Sequence, residues 1–490
     1  MRFTLYLPNQ VLILIITIFM KKTTLITVAV LSAMSLSCDK SSAPGFEQLP
    51  AQETIQEKST QLTSDEVQAL FNHMNGTRVS EQDATQSALS VMNFLDESKA
   101  TKSATGRSIQ SMKPVTGPAK LTKAGDSISS DTLAYVFNFS NNEGYTIISA
   151  DSRTDAIFAL VPEGNIDFDQ DIDDDIFQSG VIVFYDNLSA MYESQIQKSA
   201  RMQDSLVNAA LAKLAQDSSY VGTRASGDDV QVTYGPVQLL RAIGPLIPVR
   251  WGQDNPYNLS TPIINGQHAF TGCAATATAQ LMAYWRYPST YNWNLMMPPS
   301  GNETMETFQA ISNLMYNVGV GINTRYQAGQ SPAYFSDIYL YLNNLGYNIG
   351  NYTSYNDDDV NSSLDESRPV LITGCTHKHD VYQKRLIFWK KYSHTYYTGG
   401  HVWIIDGLAM TYRYMYISIN GIVVSKTMMP IATLVHCNFG LPEKTYDGYY
   451  NPGTFNTSTG PVTRASTTEE VSGSDGYYQY EVEIMSNIYK

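Results

Sequence analysis

The spacing of apolar and polar positions predicts two helices at the start of the folded chain. The pattern Thr63-x-x-Glu66 is a capping box and predicts a helix that begins at Ser64 and ends near Asn75. A second helix is predicted after Ser80, because small and apolar residues recur there every three to four positions. The residues on its apolar face are Ala84, Ala88, Val91 and Leu95.

Runs rich in β-branched and aromatic residues follow. Leu133–Phe139 and Tyr145–Ser149 predict a hairpin around a short Asn- and Gly-containing turn, and Ala156–Val161 predicts a third strand. A long helical pattern then extends from Ile176 to about Leu214. Together, residues 63–215 are predicted to form a compact α+β domain.

The pattern changes after this domain. Residues 216–245 open on a polar, Ser- and Gly-containing stretch and are predicted to be an exposed linker, with Arg224 or Arg241 as natural sites for a protease. Residues 246–490 are rich in Gly, Asn and Tyr, with short β-type runs and one clear helix, at Cys273. They are predicted to form a second folded domain.

The N-terminus carries two apolar runs. From Met20 onward the order of two lysines, an apolar stretch and small residues is that of an export signal, so residues 20–37 are predicted to be a signal peptide. Residues 1–19 are then an over-extended reading frame. The alternative is a signal anchor from Leu12 to Leu36, which would place Lys21 and Lys22 within the bilayer at a cost of several kcal/mol.

The residues before Cys38 resemble a bacterial lipobox, with Ser35 where leucine is expected. A lipid on Cys38 would anchor the protein to a membrane, with residues 38–62 as a tether. The alternative is ordinary cleavage near Ser37 and release. We therefore predict an exported protein, either a lipoprotein of the outer membrane or cell surface, or one that is secreted.

Composition narrows the functional class. The net charge of −14 argues against nucleic acid as a partner, and 43% hydrophobic residues are ample for packed cores. The acidic run Asp167–Asp175 is predicted to be a solvated loop, with a calcium site as the alternative. Four cysteines are too few for a disulfide scaffold, and a lipid on Cys38 would leave an odd number and hence at least one free thiol.

Cys273 is the strongest candidate for chemistry. It follows Gly272 at the predicted start of a helix, where unpaired N–H groups and the helix dipole favour a thiolate and lower the pKa of the thiol. Residues spaced to share one face of this helix are Ala274, Ala277, Leu281 and Trp285. The alternative is a buried structural cysteine.

Partners for a thiol nucleophile lie elsewhere in the chain. His401 follows two glycines at the start of a β-type run and is a candidate base, and Asn438, after another apolar run, could hold its imidazole. Gln253 and the backbone N–H of Cys273 could form an oxyanion hole. Asp406 is a rival for the role of Asn438, although its place five residues after His401 predicts that it ends that strand.

A second group of ligand-type residues is Cys375, His377, His379 and His394, which could be a zinc site. The simpler interpretation is a polar surface loop. Cys437 follows an apolar run and is predicted to be a core residue.

Several motifs resemble the streptopain family of cysteine peptidases. They are Val249–Asn258, Gly272–Met282, Arg368-Pro369-Val370 with Gly374, Gly400–Gly407, Asn438-x-Gly440 and Asp447–Tyr450. Gly144–Asp151 resembles the propeptide of that family. The resemblance implies a papain-like α+β catalytic domain over residues 246–490, an inhibitory α+β prodomain over residues 63–215, and no cofactor.

By the same resemblance Cys273 is the nucleophile, His401 the base, Asn438 its orienter and Gln253 the oxyanion donor, acting on protein or peptide substrates. The prodomain acts as an intramolecular inhibitor. The sequence departs from the family at Phe439, where tryptophan is usual, in the residues that follow Gly440, and in a longer segment from His377 to Tyr397. The alternative function is a weakly active or inactive protease-like surface lipoprotein that serves as a binding module or adhesin.

Overall fold

The structure is a computed structural model. It describes residues 62–98, 106–116, 132–166, 181–216, 230–327, 329, 331–375, 377–385, 389–398, 400–419, 421–441, 446–455 and 480–490. The predictions for the signal peptide, Cys38, the acidic run Asp167–Asp175 and Arg224 fall outside these residues.

Eight α-helices lie in the described ranges: α1 Ser64–Asn75, α2 Glu81–Ser98, α3 Val181–Gln216, α4 Cys273–Trp285, α5 Trp293–Met296, α6 Met305–Gly321, α7 Phe335–Leu345 and α8 Asp357–Asp365. Of the helices described, none combines the length and apolar character needed to cross a membrane.

The described strands are β1 Ile109–Thr116, β2 Thr132–Phe139, β3 Tyr145–Ser149, β4 Ile157–Val161, β5 Val230–Tyr234, β6 Gln238–Ile243, β7 Ile263–Ile264, β8 Gln267–His268, β9 Asn348–Ser354, β10 Val370–Cys375, β11 His377–Arg385, β12 Trp389–Thr398, β13 His401–Ile419, β14 Ile422–Asn438, β15 Gly448–Tyr450 and β16 Tyr480–Tyr489. Together with the helices they make an α+β protein, as predicted.

The first helix begins where its capping box predicts. Glu66 N donates to Thr63 Oγ1 at 3.3 Å, and Thr63 N donates to Glu66 Oε2 at 2.8 Å, so each residue satisfies a backbone N–H that the helix leaves free. Gly76 follows the helix with φ of +77°, a backbone conformation that glycine adopts at little cost. The predicted helix from Ser64 to Asn75 is confirmed.

One large antiparallel sheet runs through most of the molecule. Its main path is β1-β2-β3-β4-β15-β14-β13-β10-β16-β9. β4 joins β15 through the pairs Leu160 with Tyr449 and Ala159 with Tyr450. The N-terminal strands β1–β4 therefore continue the sheet that carries His401 and Asn438.

Part of the predicted linker is built into this sheet. β5 and β6 pair with β13 along the same edge as β10, and the β6 residue Arg241 forms an ion pair with Asp365. Residues 230–234 and 238–243 are therefore paired strands rather than a free linker, although Leu240 and Arg241 are exposed, as predicted for this segment. A protease site at Arg241 would require this pairing to open.

The C-terminal half has more regular structure than predicted. The sequence indicated one clear helix there, whereas α5 to α8 are also present. Two of these helices begin at residues that favour a helix start. Thr304 and Thr307 cap α6 reciprocally, and Asn356 caps α8. The segment around His377 and His379 was predicted to be a polar surface loop, but its backbone forms the β11–β12 hairpin. Its side chains lie outside the description, so the zinc alternative stays untested.

The two faces of β13 belong to different cores. Val402 and Ile404 pack in the core formed with α4, α6 and α7, whereas Trp403 and Ile405 pack in a core shared with β3, β4 and α3. This alternation follows from the two-residue period of a strand. It places α4, with Cys273 at its first position, against one face near the start of β13.

Candidate active site

A glycine turn places Cys273 at the first position of α4. Gly272 has φ of +89°, and a Cβ atom on it would lie 2.3 Å from the Ser331 carbonyl oxygen. Only glycine fits this approach without displacing backbone. The Gly272 carbonyl then accepts the first helical hydrogen bond, from Thr276 N at 3.0 Å. Local sequence therefore determines where the thiol enters the helix.

The sulfur of Cys273 meets the beginning of β13. Val402 N donates to Cys273 Sγ at 3.4 Å, and the N–H groups of Ala274 and of Cys273 itself also favour the thiolate. Burial among protein atoms outweighs these donors and raises the pKa of the Cys273 thiol above its ordinary value. The expected lowering of this pKa is therefore wrong for this form of the chain, because the protein atoms around the partly exposed thiol have the larger effect.

His401 is the first residue of β13 and is nearly buried, with 9% of its surface exposed. It pairs with Gly374 across the sheet, and its carbonyl oxygen accepts from Thr373 Oγ1 at 3.0 Å. Along the strand it is in phase with Trp403 rather than with Val402. Cys273 therefore contacts the strand of His401 through the main-chain N–H of Val402, the residue that follows His401.

Gln253 is tied to the segment that leads into α4. Its carbonyl oxygen accepts from Thr271 N at 2.9 Å and from Thr271 Oγ1 at 3.3 Å. Thr271 Oγ1 in turn lies 2.8 Å from Thr276 Oγ1, in the first turn of the helix. These contacts join the main chain of Gln253, the candidate oxyanion donor, to Thr271, which lies two residues before Cys273. Gln253 itself is half-buried.

Asn438 ends β14 and is buried. Its Nδ2 donates to Gln280 Oε1 at 2.8 Å, and its Oδ1 accepts from Gly440 N at 3.0 Å. Gln280 Nε2 donates to the Trp251 carbonyl at 3.1 Å, so Gln280 links the segment of Gln253 to Asn438. Gln280 was not among the predicted site residues. Its signal was its position seven residues after Cys273, two turns along the same helical face.

Asp406 does not end its strand as predicted, because β13 continues to Ile419. Nor does it serve as a rival orienter of His401 here. It is fully buried, and its Oδ1 lies 2.6 Å from His436 Nδ1 while its Oδ2 accepts from Ile247 N at 2.9 Å. A local irregularity in the pairing of β13 with β14 at Asp406 allows the long strand to pass this point.

Phe439 fills the position where the resemblance expects tryptophan. Its ring is buried and packs against Trp403 and Tyr450, with ring centroids 6.0 Å and 5.6 Å away. Its N–H donates to Asp447 Oδ1 at 2.9 Å. Burial raises the pKa of Asp447 to about 6, against the opposing effect of that hydrogen bond. Phenylalanine thus still covers the end of β14 with an aromatic ring.

Cys437 lies in the core, as predicted. It is fully buried, and burial raises the pKa of its thiol well above the ordinary value. Its side chain is directed toward the Val435 carbonyl at 4.0 Å, a weak contact. This environment is typical of an inert structural cysteine.

The N-terminal domain touches the neighbourhood of the site. Besides the pairing of β4 with β15, Arg250 forms an ion pair with Glu163 at 3.0 Å, and Asn451 N donates to the Phe158 carbonyl at 2.9 Å. The residue Arg250 lies three positions before Gln253. The two domains are therefore joined close to the residues that carry the candidate chemistry.

Two protein families match the chain. The peptidase C10 family matches residues 251–290 and 289–450, and the Spi protease inhibitor family matches residues 76–179. The first match contains all four candidate residues, and the second covers much of the N-terminal α+β domain. The expected papain-like catalytic domain with a prodomain before it is confirmed.

The chain is also similar to several individual proteins. Streptopain of Streptococcus pyogenes serotype M28 is 27% identical over 384 residues, which cover 69% of this chain and 81% of that protein. The thiol protease/hemagglutinin PrtT of Porphyromonas gingivalis is 21% identical over 291 residues, 50% of this chain and 30% of that protein. A prointerpain A fragment of Prevotella intermedia superposes with a TM-score of 0.45 and 18% identity, covering 78% of this chain and 99% of that one.

Proposed function

The chain belongs to the peptidase C10 family of cysteine endopeptidases, with its prodomain, and from that premise we propose that it cleaves peptide bonds through Cys273, His401, Asn438 and Gln253. The observation that carries the proposal is the turn at Gly272. It sets Cys273 at the start of α4, with its sulfur against the first residues of β13.

In this mechanism His401 accepts the thiol proton, and the Cys273 sulfur attacks the carbonyl carbon of the substrate. The N–H of Cys273 and the side-chain amide of Gln253 stabilise the oxyanion. His401 then donates its proton to the departing amine, which leaves a thioester on Cys273. Water, deprotonated by His401, hydrolyses this thioester and restores the thiol.

Asn438 serves as the orienter of His401 in this proposal. Its carboxamide is bound to Gln280 and Gly440 in the present form, which keeps it at the end of β14. Catalysis requires the His401 imidazole and the Cys273 thiol to meet. Because the prodomain is still attached and burial raises the pKa of the Cys273 thiol, this form of the chain corresponds to the latent precursor in our proposal.

The prodomain holds that latent form. It continues the sheet at β15 and pairs Glu163 with Arg250, close to the segment of Gln253. Activation follows cleavage within residues 216–245, and Arg224 is the proposed site. N-terminal sequencing of the processed protein tests this point, and a new terminus far outside that window would contradict it.

The decisive experiment incubates the full chain and its Cys273→Ala variant with casein and with a quenched peptide. We expect hydrolysis and self-processing by the first and neither by the second. Hydrolysis that persists in Cys273→Ala would exclude the proposed nucleophile. A protein that only binds would leave Cys273 unlabelled by a thiol-reactive peptide probe after processing.

Export and lipid attachment at Cys38 complete the proposal. They rest on the lysine-rich start, the apolar stretch and the small residues before Cys38. Radioactive palmitate supplied to a bacterial host that expresses the full chain should label the protein, and Cys38→Ser should remove the label. Equal labelling of both would contradict lipidation at Cys38.

A further inference from the structure

A buried carboxylate connects three segments of the proposed active site. Asp406 in β13 lies 2.6 Å from His436 in β14, and it accepts from Ile247 N at 2.9 Å through its other carboxylate oxygen. Its main-chain carbonyl accepts from Leu246 N at 2.8 Å. Because a carboxylate only accepts hydrogen bonds, His436 Nδ1 carries the hydrogen in this pair.

Each segment leads to a proposed catalytic residue. Ile247 lies six residues before Gln253, Asp406 lies five residues after His401, and His436 lies two residues before Asn438. We propose that Asp406 is a positioning residue. Through His436 it holds the orienter Asn438 in place, and through Ile247 it holds the oxyanion donor Gln253 in place. This inference rests on the proposed function, because it concerns the geometry of that site.

The residues around Asp406 and His436 favour the hydrogen bond between them. Gly407, next to Asp406, pairs with His436 so closely that a Cβ atom on it would lie 2.9 Å from His436 Cβ and 2.7 Å from the Ile243 carbonyl oxygen. Tyr449 packs edge-on against the His436 ring at 4.9 Å. The Tyr449 ring and the close backbone at Gly407 therefore hold His436 against Asp406.

Close packing alone does not fix this region. A cavity of about 70 Å³ is bordered by Asp406, His436 and Asn438, together with Pro162 and Glu163 of the prodomain. Directional hydrogen bonds to Asp406 therefore define where Asn438's strand ends. Even a fully charged buried pair adds little net stability compared with apolar residues of equal volume, so geometry is the better reason for a carboxylate here.

The test compares His436→Asn with His436→Leu in the full-length chain, with Asp406→Asn as a third variant. Asparagine keeps an N–H donor close to the place of Nδ1, whereas leucine removes it. Each protein is activated in trans by a trace of tagged wild-type enzyme, which is then removed. kcat is measured per active site titrated with an irreversible thiol inhibitor, so unfolded molecules are not counted.

We expect kcat to fall roughly 10- to 100-fold in His436→Leu and Asp406→Asn, with KM within about 3-fold, because small displacements of catalytic groups cost about that much. His436→Asn should recover kcat to within about 3-fold of the wild type. If kcat in both damaging variants stays within 2-fold of the wild type, or if His436→Asn is no better than His436→Leu, the positioning role is wrong.

Ser363→Ala is the matched control for lost buried hydrogen bonds. Ser363 is fully buried, donates to the Arg368 carbonyl at 2.8 Å and accepts from Asn487 N at 2.8 Å, away from the proposed site. Its Tm should fall while kcat per titrated site is unchanged. Hydrolysis by Cys273→Ala would overturn the proposed function itself, whereas an inactive Cys273→Ala beside a fully active Asp406→Asn would overturn this inference alone.

Discussion

Cys273 and Cys437 are two free thiols in different surroundings, the first partly exposed and the second buried. Burial raises the pKa of both thiols, but Cys273 receives N–H donors from Val402 and from the start of α4. Cys437 lies in the middle of a packed core and faces a carbonyl oxygen. The donor beside Cys437 is the Trp403 side chain inside a closed core, whereas the donors at Cys273 are backbone N–H groups at a helix start and at the beginning of β13. Main-chain donors at a partly accessible sulfur are what distinguish the proposed nucleophile from a structural thiol.

Alanine at each position gives the largest expected contrast. Cys273→Ala should reduce peptide hydrolysis by at least about 10³-fold, because the nucleophile is lost. Cys437→Ala should keep kcat within about 2-fold and lower the stability by about 1 kcal/mol, since it removes only a small buried atom group. Peptidase assays and thermal unfolding check this, after both variants have been processed in trans by a trace of tagged wild-type enzyme that is then removed. A comparable loss of kcat in Cys437→Ala would break the comparison.

The oxyanion donor gives the next largest effect. Gln253→Ala should lower kcat by about 10²- to 10³-fold with a small change in KM, because its amide acts on charge that develops in the transition state. Gln309→Ala, on the exposed surface of α6, is the matched control and should leave both constants unchanged. A Gln253→Ala effect confined to KM would instead indicate a role in substrate binding.

Alkylation by iodoacetamide reports the two thiols directly. Cys273 should react roughly 10-fold faster after processing than in the precursor, because exposure removes the burial that raises its pKa while the helix N–H groups remain. Cys437 should stay unmodified in both forms, as peptide mapping by mass spectrometry would show. Equal rates at Cys273 before and after processing would mean that the prodomain does not control the thiol.

The smallest expected effect concerns the carboxyl group of Asp447, which accepts from Phe439 N just after β14, the strand of Cys437. Burial raises the pKa of Asp447 to about 6, so between about pH 6 and pH 4 the folded state binds a proton that the unfolded state does not. This group's contribution to stability therefore falls as pH rises through that window.

Asp447→Asn removes that dependence. The free energy of unfolding of the variant, minus that of the wild type, should be about 1 kcal/mol higher at pH 7 than at pH 5. Urea titration of both proteins at each pH measures this difference. Asp358→Asn, at an exposed position on α8, should show the same difference from the wild type at both pH values. No change with pH in Asp447→Asn would mean that the carboxyl is not perturbed by burial.

Local signals predicted much of the fold. The capping box of α1, the hairpin of β2 and β3, and the glycine turn before α4 were visible because each depends on neighbouring residues. Helices α5 to α8 were missed, since much of their support comes from tertiary packing. α5 to α7 pack in the core that contains α4, whereas α8 packs in the core on the other face of β13. β5 and β6 were missed for a similar reason, because their partner β13 is more than 160 residues away.

The sequence by itself determined that a thiol stands at a helix start, since a glycine with positive φ and the helix after it are local features. Only the tertiary structure decided what surrounds that thiol. It brought Val402 to the sulfur, joined Asn438 to Gln280, and paired Asp406 with His436 rather than with His401. These contacts depend on strand register and burial across distant segments, which residue spacing along the chain does not specify.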